Sequence, residues 1–251
     1  MIQNLVDELK RISKEYGVIG IKQSFEDEGV SLDDLITVRR LTDLAGVKSF
    51  VKIGGCEAKS DLANCVKLGV DCVIAPMVES KFAASKFINM VKPHKDVLNS
   101  YILIETKTAK WFIDEIFAES KRHLSGVVIG RSDFTKSLGK EKDQADSDEV
   151  YEMIEAILNE CSRYGIPATM GGSISTKSVD FIKRMYEKNL LKNIETRNVV
   201  IKLDSNTIPK LEECVKRALG FEIQWLKYKY NISTLSSEDY LKRIKLLENR
   251  S

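Results

Sequence analysis

Two carboxylates stand where chemistry could use them. Glu105 closes the apolar run "YILIE", and Asp133 closes the next such run, "GVVIGRSD". Side chains alternate along a strand, so Tyr101, Leu103 and Glu105 share one face and Ile102 and Ile104 the other. If the first face lines a barrel, Glu105 stands at the top of its interior. Consecutive strand–helix units set their strands side by side, about 4.8 Å apart, so the two acids can converge on one ion. Magnesium suits such a pair, because it takes oxygen ligands at about 2.1 Å and keeps positions open for substrate and water. An ion held this way can clamp a 2-oxo acid and stabilise its enolate. The same residues also fit a plainer reading, in which Glu105 starts a surface loop and Asp133 caps a helix. Spacing alone leaves both open.

Other residues could join this chemistry. Lys22, Lys52 and Lys202 each interrupt an apolar run. A buried, unpaired ammonium is costly, so at least one of them should meet an acid or a substrate. Lys22 and Lys202 read as outward-pointing residues with their stems under helices. A desolvated lysine could also form an imine with a carbonyl substrate. The loop "SFEDEG" holds three acids, of which Glu28 is the choice for a general base if burial raises its pKa; the alternative is a set of solvated loop acids. Gly54, Gly55, Gly171 and Gly172 end two runs as pairs, where they expose N–H groups to an anion or simply make turns. Cys56 has no base nearby in sequence and reads as a packing residue.

The elements that must position these residues alternate. β-rich runs occur at 18–25, 49–55, 71–77, 100–106, 126–133, 166–172 and 197–204, with amphipathic segments between them. Several runs are almost wholly apolar, as in a parallel sheet covered on both faces. Such a series closes into a (β/α)8 TIM-type barrel, whose strand ends form one mouth. Seven strands are clear. The eighth is sought in "FEIQW" (221–225), a stretch that could equally begin a helix. No strand precedes GxGxxG or GxxxxGK[ST], so a nucleotide fold has no support. The N-terminus, with apolar residues at 2, 5, 9 and 12, reads as an amphipathic helix rather than a signal peptide. The tail opens with the capping pattern Ser-Ser-Glu-Asp (236–239) and continues as a helix. The expected organisation is a barrel domain over 1–220 and a helical extension over 221–251, packed on the barrel or on a neighbouring subunit.

Composition narrows the class. The chain has 251 residues, 43% apolar and 30% charged, with a net charge of +2 spread along its length. Nothing suggests a nucleic-acid groove or a membrane anchor, and no apolar run approaches the roughly 18 residues of a membrane span. Five cysteines without CxxC, and two histidines, argue against a disulfide framework or a zinc site. The expectation is a soluble cytoplasmic protein with reduced thiols.

The segments "VIAPMVES", "LIETKTA" and "GVVIGRSDFTKSLG", in this order, resemble the HpcH/HpaI aldolase/citrate lyase family over about residues 18 to 205. The resemblance implies a barrel of the pyruvate/phosphoenolpyruvate-binding kind and a lyase that makes or breaks carbon–carbon bonds next to an enolate. It implies a divalent metal, Mg2+ with Mn2+ as the alternative, held by Glu105 and Asp133. By the same resemblance the backbone of Gly130, Arg131 and Ser132 binds the substrate carboxylate, and homo-oligomers are expected. The sequence also departs from the family. Lys52 replaces an Arg that contacts the substrate oxygen, keeping the charge without the planar fork. Glu28 falls near a lost His. Arg131 replaces a Pro and is expected to add a cation to the pocket, suiting a more anionic substrate. Three functions follow: a metal-dependent aldolase or lyase acting on a small 2-oxo acid, a metal-free aldolase using Lys52 as an imine, or a non-catalytic metabolite-binding or assembly protein.

Overall fold

A computed structural model describes residues 2–232 and 237–250. Eight strands close a barrel in chain order: β1 (Val18–Ser24), β2 (Lys48–Lys52), β3 (Cys72–Ala75), β4 (Asn99–Ile104), β5 (Gly126–Gly130), β6 (Ala168–Gly171), β7 (Asn193–Glu195) and β8 (Val199–Lys202). The helices are α1 (Ile2–Tyr16), α2 (Leu32–Ala45), α3 (Lys59–Lys67), α4 (Lys81–Val91), α5 (Lys107–Trp111), α6 (Ile113–Ser120), α7 (Arg131–Ser137), α8 (Asp148–Arg163), α9 (Val179–Glu187), α10 (Leu211–Ile232) and α11 (Ser237–Glu248). The side chains of the capping pattern at 236–239 lie outside the described residues.

The strands from β1 to β7 pair in parallel. β8 runs antiparallel to both of its neighbours, β7 and β1. The cause is the link. Only Thr196, Arg197 and Asn198 separate β7 from β8, and so short a connection can only reverse the chain, whereas a parallel return needs a crossover of a dozen residues or more. The last strand–helix unit of the expected barrel is therefore a hairpin.

This reversal corrects the search for the eighth strand. The run at 197–204 supplies β8, and β7 is a three-residue strand too short to show any alternation. Residues 221–225 lie inside α10 instead. Phe221 and Trp225 are both buried and stand four residues apart, so they share one helical face. α10 is continuous across residue 220.

Because β8 ends at the bottom of the barrel, α10 starts there. Its 22 residues climb about 33 Å at 1.5 Å per residue, enough to return the chain to the mouth. α1 packs beside α10 and α2 in the outer layer. Inside the barrel, Phe50, Cys72, Ile74, Leu103, Val128 and Val200 form an apolar plug, with the Phe50 and Tyr101 rings 5.9 Å apart. The larger core lies between strands and helices. Among the described residues no helix is long and apolar enough to cross a membrane.

Candidate active site

Charged side chains sit directly above the apolar plug. Leu103 belongs to that plug, so the inward face of β4 carries Tyr101, Leu103 and then Glu105, as the alternation predicts. Glu105 is buried, 4% exposed. One carboxylate oxygen, Oε1, accepts the Met77 N–H at 3.0 Å. The other, Oε2, lies over Gly130: a Cβ added there would stand 2.9 Å from the Glu105 Cβ and 3.1 Å from Oε2. Ile104 pairs with Ile129 across β4 and β5, which brings Glu105 level with Gly130. Glycine is the residue that leaves Glu105 its place. Burial pushes the Glu105 carboxyl up to about 7, against the pull of the Lys52 ammonium and the Met77 N–H, and the negative charges of Asp133 and Glu26 add to the rise.

Asp133 lies in the first turn of α7 and lines the same mouth. It accepts from Lys136 at 3.0 Å, one turn on, in a pair open to solvent. Neither acid is thus sealed by a buried cation.

Lys52 is the last residue of β2 and points inward, 6% exposed. It pairs with Asp27 and, at 3.1 Å, with Glu26. Burial alone would lower its pKa. The hydrogen bond and charge of Asp27, with help from Glu105 and Glu26, outweigh burial and leave the ammonium above the ordinary lysine value. The same pair holds the Asp27 carboxyl below its usual range despite its burial. Lys22 also lines the mouth, paired with Glu195, and Glu195 occupies the space that a side chain on Gly171 would fill. The outward reading of Lys22 is therefore corrected. Its neighbour Gly20 faces the Phe50 ring, and a register shift between Val18 and Gly20 sets which residues of β1 turn inward. Lys202 shares the face of Val200 and reaches solvent at the foot of the barrel, with 59% of its side chain exposed, rather than lying under a helix.

The open volume among these residues is about 190 Å3. Its outer wall holds residues that motif reading passed over: Lys142 before α8, Arg197 in the β7–β8 link, and Arg243 and Arg250 from the C-terminal end. No strand-end motif marks them, and the approach of Arg243 and Arg250 to the mouth depends on the reversal of β8. Glu222 of α10 is fully buried beneath the link, accepting the Asn198 N–H at 2.6 Å and the Thr196 hydroxyl.

The sequence pattern of the HpcH/HpaI aldolase/citrate lyase family matches residues 35–181. The chain belongs to this family. No curated protein matches it. Among solved structures, an HpcH/HpaI aldolase from Desulfitobacterium hafniense DCB-2 is 15% identical with a TM-score of 0.60, covering 74% of this chain and 88% of that one. The citrate synthase SbnG is 14% identical with a TM-score of 0.60, covering 86% and 97%. An HpcH/HpaI aldolase/citrate lyase family protein from Burkholderia cenocepacia J2315 is 12% identical with a TM-score of 0.62, covering 83% and 88%. At these identities the likeness establishes the barrel fold.

Membership in the HpcH/HpaI family raises the question of a metal. Among the described residues no group of three His, Cys, Asp or Glu side chains could hold one. A pair fits better: Glu105 and Asp133 line one cavity and feel each other's charge, and a buried carboxyl pushed up to about 7 gains most from a cation beside it. Two carboxylates would leave positions for substrate and water, a normal state for Mg2+.

Arg131 departs from expectation. Its side chain is fully buried and turns away from the mouth, reaching Asp146 at 2.5 Å, the Gly172 carbonyl at 3.0 Å and the face of Phe181. It adds no cation to the pocket; it ties α7 to the segment before α8. Its backbone N–H and that of Ser132 approach Gly172, whose φ of +81° and missing side chain permit the contact. Ser132 lines the mouth and its hydroxyl lies 2.8 Å from that of Ser173. Glu28 lies one cavity away, held at 2.9 Å by both Arg197 and Asn198. Asp27, next to it, lines both cavities. Cys56 is half-buried with its thiol pushed up by burial, which suits a packing role.

Proposed function

We propose that this chain is a divalent-metal-assisted carbon–carbon lyase or aldolase acting on a small 2-oxo acid or a related carboxylate. The observation that carries this reading is Glu105: a buried carboxylate aimed into the barrel mouth, beside Asp133 and within the field of Lys52. Glu105 and Asp133 would hold the ion, which when bound supplies a Lewis acid for the substrate's oxygens. The backbone from Gly130 to Ser132 opens the first turn of α7, where N–H groups have no helical partner and can take a carboxylate. Lys52 stays protonated because Asp27 holds it so, and its charge favours negative charge developing on the enolate oxygen. Glu28, held by Arg197 and Asn198 in the neighbouring cavity, does not reach the mouth to take the proton directly. The apolar plug of Phe50, Leu103 and their neighbours excludes water from below.

The imine reading loses support on the same page. An amine nucleophile needs a lowered pKa, and that of Lys52 is raised by its acids. The substrate carboxylate, the oligomer and the metal are parts of the proposal.

Exchange of pyruvate methyl protons in D2O, followed by NMR, tests enolisation without knowledge of the second substrate. Exchange should require Mg2+, stop with a chelator and be lost in Glu105→Gln. Persistence in chelator, or in that variant, would sink the metal assignment. Trapping of pyruvate on Lys52 by borohydride would restore the imine, and absence of exchange together with absence of Mg2+ binding would favour a non-catalytic barrel.

A further inference from the structure

Four cations from three places in the chain share the outer wall of the mouth: Lys142, Arg197, Arg243 and Arg250. Among the described residues Lys142 and Arg250 have no carboxylate partner. Arg243 has its nearest carboxylate, Glu222, at 3.9 Å, and its Nε is buried without a hydrogen bond. Complete burial pushes the Glu222 carboxyl up. Only Arg197 is closely paired, with Glu28 at 2.9 Å. Burial first, and then the charges of Arg250, Arg243, Lys136 and Arg197, push the Lys142 ammonium below its ordinary value. Gathering like charges on a half-buried wall is unfavourable unless an anion answers them.

The inner half of the mouth differs. There Lys22 meets Glu195 and Lys52 meets Asp27. The excess of positive charge thus belongs to the rim and lies on the side built by the β7–β8 link and the C-terminal helices. Next to it opens a second cavity of about 500 Å3. This shares Lys142, Arg197 and Arg243 with the mouth and adds Trp225, Leu226 and Tyr240. A substrate longer than pyruvate has room there.

We infer that this wall binds a phosphoryl group carried at the end of the substrate remote from Glu105 and Asp133, so that one of the two reacting partners is a phosphorylated 2-oxo acid or a phosphorylated aldehyde. The inference rests on the lyase reading for the place of that group in a reaction, and on the wall alone for its binding. Three guanidinium groups and one ammonium reach the site from separate elements. Such a set suits a dianion with three outward oxygens, whereas one planar carboxylate is satisfied by a single guanidinium.

Titration of the full chain with inorganic phosphate, read by calorimetry, tests this. The wild-type protein should bind in the millimolar range, and Lys142→Gln and Arg250→Gln should each weaken binding by about tenfold. Neither substitution touches the core, so folding is not at stake. Glu105→Gln should leave phosphate binding unchanged, which separates this result from the fate of the metal reading. No binding up to about 20 mM phosphate, or equal binding in both cation variants, would overturn the inference. So would displacement of phosphate by citrate at concentrations below those of phosphate itself, since that would mark the wall as a carboxylate site.

Discussion

The two halves of this barrel are built on different rules. From β1 to β6 the chain runs as parallel strands with helices between them, and the Lys52 ammonium at its mouth is paired with Asp27. From β7 onward it reverses, and the C-terminal end brings Arg243 and Arg250 to the mouth. The family pattern matches residues 35–181, so β7, β8, α10 and α11 lie beyond it. The comparison teaches how much one short link decides. Three residues between β7 and β8 forbid a crossover; the reversal sends α10 upward; and the rim of the mouth is then lined by Arg243 and Arg250. The carboxylates come with the parallel ladder and the rim cations with its interruption.

The largest effect expected from breaking the first half is at Glu105. Glu105→Gln should weaken Mg2+ affinity by at least about 100-fold, since even the partners of a metal's ligands are worth about 10 to 100-fold. The same change should stabilise the metal-free protein. The folded-state value of about 7 for Glu105 lies above the unfolded carboxyl value. The contribution to stability is thus whole below the unfolded value and is lost as pH rises through 7. Over that window the wild type should lose about 3 kcal/mol that the variant keeps. Urea unfolding in chelator at pH 4.5 and pH 8 measures both; equal pH dependence in the two proteins would refute the buried, cation-seeking carboxylate.

In the second half the corresponding point is Glu222. Glu222→Ala would strip the acceptor from the Asn198 N–H and the Thr196 hydroxyl and leave a void under the link, a loss of about 3 kcal/mol. Glu222→Gln keeps one acceptor oxygen and should cost about 1 kcal/mol. Faster amide exchange at Asn198 in the alanine variant alone would confirm that α10 pins the reversed strand. Identical exchange in both would show that the link holds itself.

Gly130→Ala returns to the first half with a smaller effect. The backbone there, φ −90° and ψ 83°, suits alanine, so the cost comes from contact alone: the new Cβ would stand 2.9 Å from that of Glu105. About 1 to 2 kcal/mol of stability should go, and Mg2+ affinity should fall with it because Glu105 must shift. Loss of stability with unchanged metal affinity would separate Gly130 from the site.

What could be read from residues alone follows the same division. Glu105 and Asp133 were legible because a strand's alternation and its end fix a side chain's direction in a parallel barrel, and Lys52 was placed by the family resemblance. Arg131 misled because it follows a strand end but starts a helix, where its side chain swings outward to Asp146 and Phe181. β7 was missed because three residues hold no period, and "FEIQW" resembled a strand because apolar and polar residues alternate along it, over too few positions to exclude a helix. The rim cations lie in no motif; the position of Arg243 and Arg250 depends on the direction of a strand, which composition does not encode. Lys22 was misread because a lysine in an apolar run is usually placed outward, whereas here Glu195 of β7 supplies a partner inside the mouth.

Lys202 gives the smallest effect and checks that last point. It occupies a strand as apolar as that of Lys22, yet β8 ends at the bottom of the barrel, where Lys202 reaches solvent and stands 3.5 Å from Asp204. An exposed pair of this kind is worth little, because water screens it and the side chains must be ordered to form it. Lys202→Met should therefore change stability by no more than about 0.5 kcal/mol. It should leave both Mg2+ and phosphate affinity untouched, since the residue lies at the opposite end from the mouth. A large loss on urea unfolding would mean that Lys202 is buried, and a Lys202 buried at the mouth would require β8 to run the other way. That result would remove the reversed strand, and with it the route by which the C-terminal arginines come to the rim.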